Sequence, residues 1–347
     1  MKNAGHRDAV EAALNFELTG RTPVNNFAIV TAARSAGYTV TQARNDPAVS
    51  AKVAVDYAIK TKSDFVKPVL DSQIPFQDMG GNVRFPEDDY GMVPDPLVKS
   101  PEDLDGLAVF DPFKASECPN FTKVFVESLE ETVRILPEDL HVCGLSWGPL
   151  TMAGYLMGTE NMMFQTITEP DFVKDTIKKI TPLVTAMEKR MIEAGATLVW
   201  MADPTSSEDL ISPDMFREYS YEAIEEVIRD TKSYENVPAF VHICGNSLQI
   251  MPMLKEIGTD CFSFDHAVNP AAARKSAGKM ALMGNVNPVS TVMMGTPEKI
   301  TEKCYAVIDA AGRDGGLILA PGCEMPLKTP DENAIAMGEA GISYWKR

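Results

Sequence analysis

Positive charge is scarce in this chain. Its 347 residues include 32 Lys and Arg against 49 Asp and Glu, a formal net charge of -17. Binding to a nucleic-acid backbone draws its affinity from clustered Lys and Arg, so this balance argues against a sequence-independent nucleic-acid role and points to small molecules or another protein. Long apolar runs are also missing: no stretch of about 18 consecutive apolar residues occurs, so no membrane partner is expected. The opening MKNAGHRDAVEAALNFELTGRTPV reads as an amphipathic helix and lacks the long apolar segment of a signal peptide, which predicts a cytoplasmic protein. Cysteine is sparse as well. Six in a chain of this length cannot form a disulfide scaffold, which leaves core fillers, metal ligands or reactive thiols. Finally, no GxGxxG or Walker loop follows an apolar run, so a nucleotide-binding open sheet lacks its usual signature.

What is present is a regular alternation. With 45% hydrophobic residues the chain can bury a large core. From about residue 138, short apolar runs (LHVCG, ATLVWMAD, PAFVHICG, CFSFDH, MALMGNV, LILAPGC) alternate with longer amphipathic stretches such as DFVKDTIKKITPLVTAMEKRMIEAG and TPEKITEKCYAVIDAAG. A βα series of this kind implies a parallel sheet. The reading is an α/β fold, a (β/α)8 TIM barrel forming a single domain over residues 1–347 with an N-terminal helical extension. Barrel sites lie at the C-terminal ends of the strands, where this sequence places Asp203, His242 with Cys244, Asp265 with His266, Asn285 and Cys323. The loop-rich stretch at 80–104 is too long for a simple turn and is read as a cap over the barrel mouth.

Two runs end in His-x-Cys-Gly: LHVCG, with His141 and Cys143, and FVHICG, with His242 and Cys244. Residues i and i+2 of a strand project to one face, so His242 and Cys244 can both point inward, with Gly245 letting the backbone turn away. Cys323, at the close of LILAPGC, offers a third ligand from another strand end. Three protein ligands and one open position make the usual catalytic zinc arrangement. For His141 and Cys143 no further cysteine is available: Cys261 begins its strand, Cys304 falls in a helical pattern and Cys118 in a loop. A buried strand with a hydrogen-bonded histidine is the reading there. Two thiolates and one neutral imidazole leave Zn²⁺ without net charge, which suits activation of a sulfur nucleophile.

These residues resemble the uroporphyrinogen decarboxylase superfamily, and within it the zinc methyltransferases that move a methyl group from a methylated corrinoid protein to a thiol such as coenzyme M. The likeness is carried by GPLTMAGYLMG (148–158), GATLVWMADPTSSEDLISPDMF (195–216), FVHICGNSLQIMPML (240–254), MGNVNP (283–288) and APGCEMPLKTPDEN (320–333). It implies Zn²⁺ on His242, Cys244 and Cys323, methylcobalamin or another corrinoid on a partner protein as methyl donor, and a wide apolar mouth over which that corrinoid protein docks. It further implies an Asp near the pocket floor at Asp71 and a pocket tyrosine at Tyr155, both taken as catalytic, with Asn285 at the cofactor. Asp203 or Asp265 is expected to accept a hydrogen bond from the free ring nitrogen of His242.

The decarboxylase branch shares the barrel but carries a His where this chain has Cys323 and an arginine-rich N-terminal segment. Here RTPVNNFAIVTAARSAGY retains only Arg34 of that pattern, and a substrate with eight carboxylates would meet a poor field at net charge -17. The methyltransferase branch is in turn expected to have acidic residues just after Asp71, where this chain has Pro75 and Gln77 in DSQIPFQDMGG. That departure leaves coenzyme M, another thiol or a reduced folate as acceptor, with Asp78 and Glu324 as available carboxylates, neither of them taken as a ligand. The 19 methionines are read as core gap-fillers.

Overall fold

The structure is a computed structural model and describes residues 4–137 and 139–347. Seven strands run in sequence order through one parallel sheet: β1 (Phe65–Val66), β2 (His141–Trp147), β3 (Leu198–Ala202), β4 (Ala239–Ile243), β5 (Cys261–Phe264), β6 (Ala281–Val286) and β7 (Leu317–Pro321). All six apolar runs read from the sequence are strands. They are buried along almost their whole length, as parallel strands must be when helices cover the outer face and a packed core the inner one. The strand missed is β1, whose two residues are too few to show a period.

The expected eighth strand is absent among the described residues. Between β7 and β1 lies the segment Pro23–Asn25. Leu319 N–H donates to Pro23 O at 2.8 Å, Asn25 N–H to Leu319 O at 2.9 Å, and Asp64 N–H to Val24 O at 2.7 Å. The segment thus bonds to both edges of the curled sheet as an isolated bridge. Pro23 has no N–H to extend a ladder, which limits the pairing to this one position.

The helices follow the predicted stretches. Pro170–Glu193 buries Phe172, Val173, Ile177, Ile180, Val184, Met187 and Met191, the three- and four-residue spacing of one helical face. Pro297–Ala311 opens with the Thr296 side chain accepting from Lys299 N–H, and Pro270–Ala277 with Asn269 accepting from Ala272 N–H. Near the N-terminus the helix is His6–Leu14; residues 1–3 of the expected amphipathic stretch lie outside the described residues. Among the described residues no helix is long and apolar enough to cross a membrane.

Inside the sheet, Phe65, Trp200 and Phe240 pack edge to face at 6.0–6.4 Å between ring centroids. Trp200 and His242 stand 6.0 Å apart, next to the cavity at the strands' C-terminal ends.

Candidate metal centre

His242 is the fourth of the five residues of β4, and Cys244 is the first residue beyond it. Alternation along the strand sends Phe240, His242 and Cys244 to the inner face. At Gly245 the backbone turns with φ +68, and a Cβ there would lie 1.9 Å from Asp209 Oδ2, so only glycine fits. Cys323 arrives from the far side, two residues past β7. The turn that delivers it depends on Gly322, where a Cβ would meet His266 N at 2.3 Å.

The ligand atoms of His242, Cys244 and Cys323 all lie within 4.8 Å of one another, and among the described residues no other His, Cys, Asp or Glu joins the set. His242 Nε2 is 3.1 Å from Cys244 Sγ, and the two sulfurs are 3.6 Å apart. Two sulfurs at about 2.3 Å from a tetrahedral zinc would be separated by about 3.8 Å, so the donor set fits that ion with small adjustment. The hydrogen bond from Cys244 and the contact with His242 hold Cys323 low, while the same hydrogen bond and burial push Cys244 up. His242 Nδ1 faces Ser263, 3.1 Å from its carbonyl oxygen and 3.0 Å from its Oγ.

That contact corrects the expected support for the ring. Asp203 Oδ1 accepts from Thr151 N–H at 2.7 Å and its Oδ2 from the Ser206 hydroxyl at 2.8 Å, while Asp265 Oδ1 accepts from Ala267 N–H and pairs with His266 Nδ1 at 2.7 Å. Both carboxylates are occupied elsewhere, and the parallel register His242↔Ser263 puts the neighbouring strand's carbonyl against Nδ1 instead.

The cluster opens on a cavity of about 330 Å³. Phe27, Tyr90, Trp147 and Tyr155 supply aromatic wall, and Asp89 and Glu324 its carboxylates. Asp89 to Met92 come from the stretch read as a cap, which is pinned by mutual backbone hydrogen bonds of 2.8 Å between Arg84 and Met92. Glu324 Oε1 accepts from Ile29 and Val30 N–H at 2.9 and 3.1 Å, and Oε2 accepts from Tyr90 OH. Burial raises the Glu324 pKa, countered by Lys67. Lys67 itself is buried, which lowers its pKa, and its Nζ stands 4.0 Å from the Phe27 ring centroid and 4.7 Å from that of Trp200. Phe27, Tyr90 and Glu324 were not selected from the sequence as site residues, because no local pattern signals a wall assembled from loops.

Tyr155 lines the cavity, and its OH accepts from Gln73 Nε2 at 3.1 Å. Asp71 stands behind the wall: its Oδ2 accepts from Arg44 Nε at 2.7 Å and Gly91 N–H at 2.9 Å, and its Oδ1 from Gln73 N–H at 3.2 Å. Asn285 is likewise off the wall, with Nδ2 donating to Asp265 O at 3.0 Å and Val268 O at 2.7 Å. Gln77 is exposed, and Asp78 caps a helix by accepting from Asn120 and Phe121 N–H at 3.2 and 2.7 Å. The other His-x-Cys pair begins β2, at the opposite end of the sheet. There His141 Nδ1 meets Thr197 Oγ1 at 2.9 Å with its pKa lowered by burial to about 4, and burial pushes the Cys143 thiol up to about 12.

A curled parallel α/β sheet with reactive side chains gathered at its strands' carboxyl ends is the architecture of a barrel enzyme. The chain belongs to the Uroporphyrinogen decarboxylase (URO-D) family, whose sequence profile matches residues 6–344. The Methylated-thiol–coenzyme M methyltransferase of Methanosarcina mazei is 28% identical over 270 residues, covering 78% of this chain and 70% of that protein. The methylcobamide:CoM methyltransferase MtaA of Methanosarcina barkeri is 29% identical over 253 residues, covering 71% and 70%. A solved methyltransferase from Methanosarcina mazei has the same fold, with a TM-score of 0.86 over 98% of this chain and 99% of that one at 24% identity.

Proposed function

We propose that this protein is a single-domain methyltransferase that moves a methyl group from a methylated corrinoid, carried on a corrinoid protein, to a thiol. The observation that carries this reading is the convergence of His242 Nε2, Cys244 Sγ and Cys323 Sγ within 4.8 Å at the edge of an apolar cavity. The names of the methyltransferase relatives support a corrinoid donor and a thiol acceptor and give no support to folate.

A zinc ion held by these three side chains would leave one position open and would draw the proton from an incoming thiol. The chain's own groups prepare that position. Ser263 occupies His242 Nδ1, which directs Nε2 toward the sulfurs. The hydrogen bond from Cys244 and the contact with His242 hold the Cys323 thiol low. The aromatic wall displaces water, so the sulfur of a bound thiolate stays free of competing hydration. A corrinoid donor would supply the methyl group to that sulfur, with the electron pair of the carbon–cobalt bond left on the corrinoid and the thiol proton passed to solvent.

The test is metal analysis of the purified wild type beside Cys323→Ser, coupled to the visible absorbance of methylcobalamin with a panel of thiols. One zinc per chain, lost together with thiol-dependent demethylation in Cys323→Ser, is the expected outcome. A zinc-free wild type with no demethylation of methylcobalamin overturns the reading.

A further inference from the structure

The cavity at the cluster is poor in groups that hold an anion. Its charged wall residues are Asp89 and Glu324, and among the described residues no Lys or Arg lines it. Of the two cations nearby, one is engaged by other groups and the other, Lys67, is buried behind the wall without a hydrogen-bond partner. Arg44 is 2% exposed, with Nε on Asp71 and Nη2 on the Asp89 carbonyl, and Lys67 Nζ is packed against the Phe27 and Trp200 rings.

Backbone donors could replace a cation at an anion site, yet here they are taken. Ile29 and Val30 N–H both donate to Glu324, Gly91 N–H donates to Asp71, and the Tyr90 hydroxyl donates to Glu324 as well. The corner of this wall where two N–H groups and a hydroxyl converge is therefore filled by the protein's own carboxylate.

We propose that the acceptor is a thiol whose other end carries no anionic group, neutral or cationic, because Glu324 occupies the niche where the Ile29 and Val30 N–H groups and the Tyr90 hydroxyl converge and where a sulfonate or carboxylate would be held. This rests on the methyl-transfer reading above and narrows its acceptor. It separates this chain from the coenzyme M specificity named for its relatives, since coenzyme M is a mercaptoethane bearing a sulfonate.

The experiment compares thiols of one shape, HS–CH2–CH2–X, with X a sulfonate, a hydroxyl or an ammonium. Each is assayed with methylcobalamin and the zinc-loaded protein, and each rate is corrected for the uncatalysed reaction of that thiol. The expected result is a kcat/KM for the hydroxyl and ammonium thiols at least about tenfold above that for the sulfonate, a lower bound for one like-charge contact near a protein surface. Glu324→Ala should then shift the sulfonate-to-hydroxyl ratio toward the sulfonate by at least about tenfold, by freeing the Ile29, Val30 and Tyr90 donors. That ratio is read within one variant, so a general loss of activity does not obscure it. A wild type that uses the sulfonate thiol as well as or better than the hydroxyl thiol overturns this inference and leaves methyl transfer standing. Failure of all three thiols overturns the methyl-transfer reading itself, and this inference with it.

Discussion

Cys244 Sγ stands 3.6 Å from Cys323 Sγ although 79 residues separate the two in sequence. Neither thiol is near the other by local structure: one ends the run of β4 and the other follows β7, and the curl of the sheet alone brings them together. The look-alike pair His141 and Cys143 lacks such a partner because it sits where its strand begins. Cys244→Ala should therefore abolish zinc binding, while Cys143→Ala should retain one zinc per chain. Metal analysis of both variants after dialysis against a weak chelator checks this. Loss of metal from Cys143→Ala with the fold intact would refute the assignment of the site to the second pair.

The ring of His242 is oriented by Ser263, whose carbonyl and hydroxyl both approach Nδ1. Removing a partner behind a metal-bound imidazole typically weakens metal affinity about 10- to 100-fold. Ser263→Ala leaves the carbonyl in place, so a loss of about tenfold is expected. Asp265→Asn, in contact with His266 and not with His242, should leave affinity unchanged within about twofold. Competition for zinc with a coloured chelator measures both, and the reverse order of effects would restore the aspartate as the group behind the ring.

Asp71 and Arg44 form an ion pair at 2.7 Å with side chains 1% and 2% exposed. Breaking a buried pair leaves one charge without compensation, which costs about 3–5 kcal/mol. Arg44→Met is expected to lose that much stability by urea unfolding. The double variant with Asp71→Asn should recover part of the loss, because the unpaired carboxylate is gone. Through Gly91 and Gln73 the same pair positions two residues of the cavity wall, so Asp71→Asn should raise KM for the thiol more than it lowers kcat. A fall in kcat alone would instead place Asp71 at the reacting atoms.

The sequence made six of the seven strands legible because fully buried parallel strands are continuous apolar runs, and the helices between them carry a 3.6-residue period. It hid β1 and the Val24 bridge for the same physical reason: two residues or one show no period, and their pairing is decided by neighbours far along the chain. The His242, Cys244 and Cys323 cluster was legible because i, i+2 spacing at a strand end and the barrel topology suffice to place it. The wall was not. Ile29, Tyr90 and Glu324 come together through hydrogen bonds that span up to 295 residues, and the identity of the group behind His242 depended on strand register, which no spacing reveals.

Glu188 lies on a helix outside the sheet, 2% exposed, with its carboxylate between Ser146 Oγ at 2.8 Å and Thr231 Oγ1 at 2.9 Å. Burial raises its pKa from 4.5 to about 7, against the two hydroxyl donors that lower it. For a carboxyl raised on folding, the unfolded chain releases its proton first as pH increases. Folding then binds a proton, and stability is lost progressively from about pH 4.5 to about 7, by up to roughly 3 kcal/mol when the whole difference is expressed. Glu188→Gln keeps a donor and an acceptor for the two hydroxyls and has no proton to lose. Its advantage over the wild type in urea unfolding should therefore be small at pH 5 and should grow by about 2–3 kcal/mol by pH 8. A constant difference between the two proteins across that range would mean that Glu188 ionises at the same pH in the folded and unfolded chains, and that water reaches it through the layer of helices.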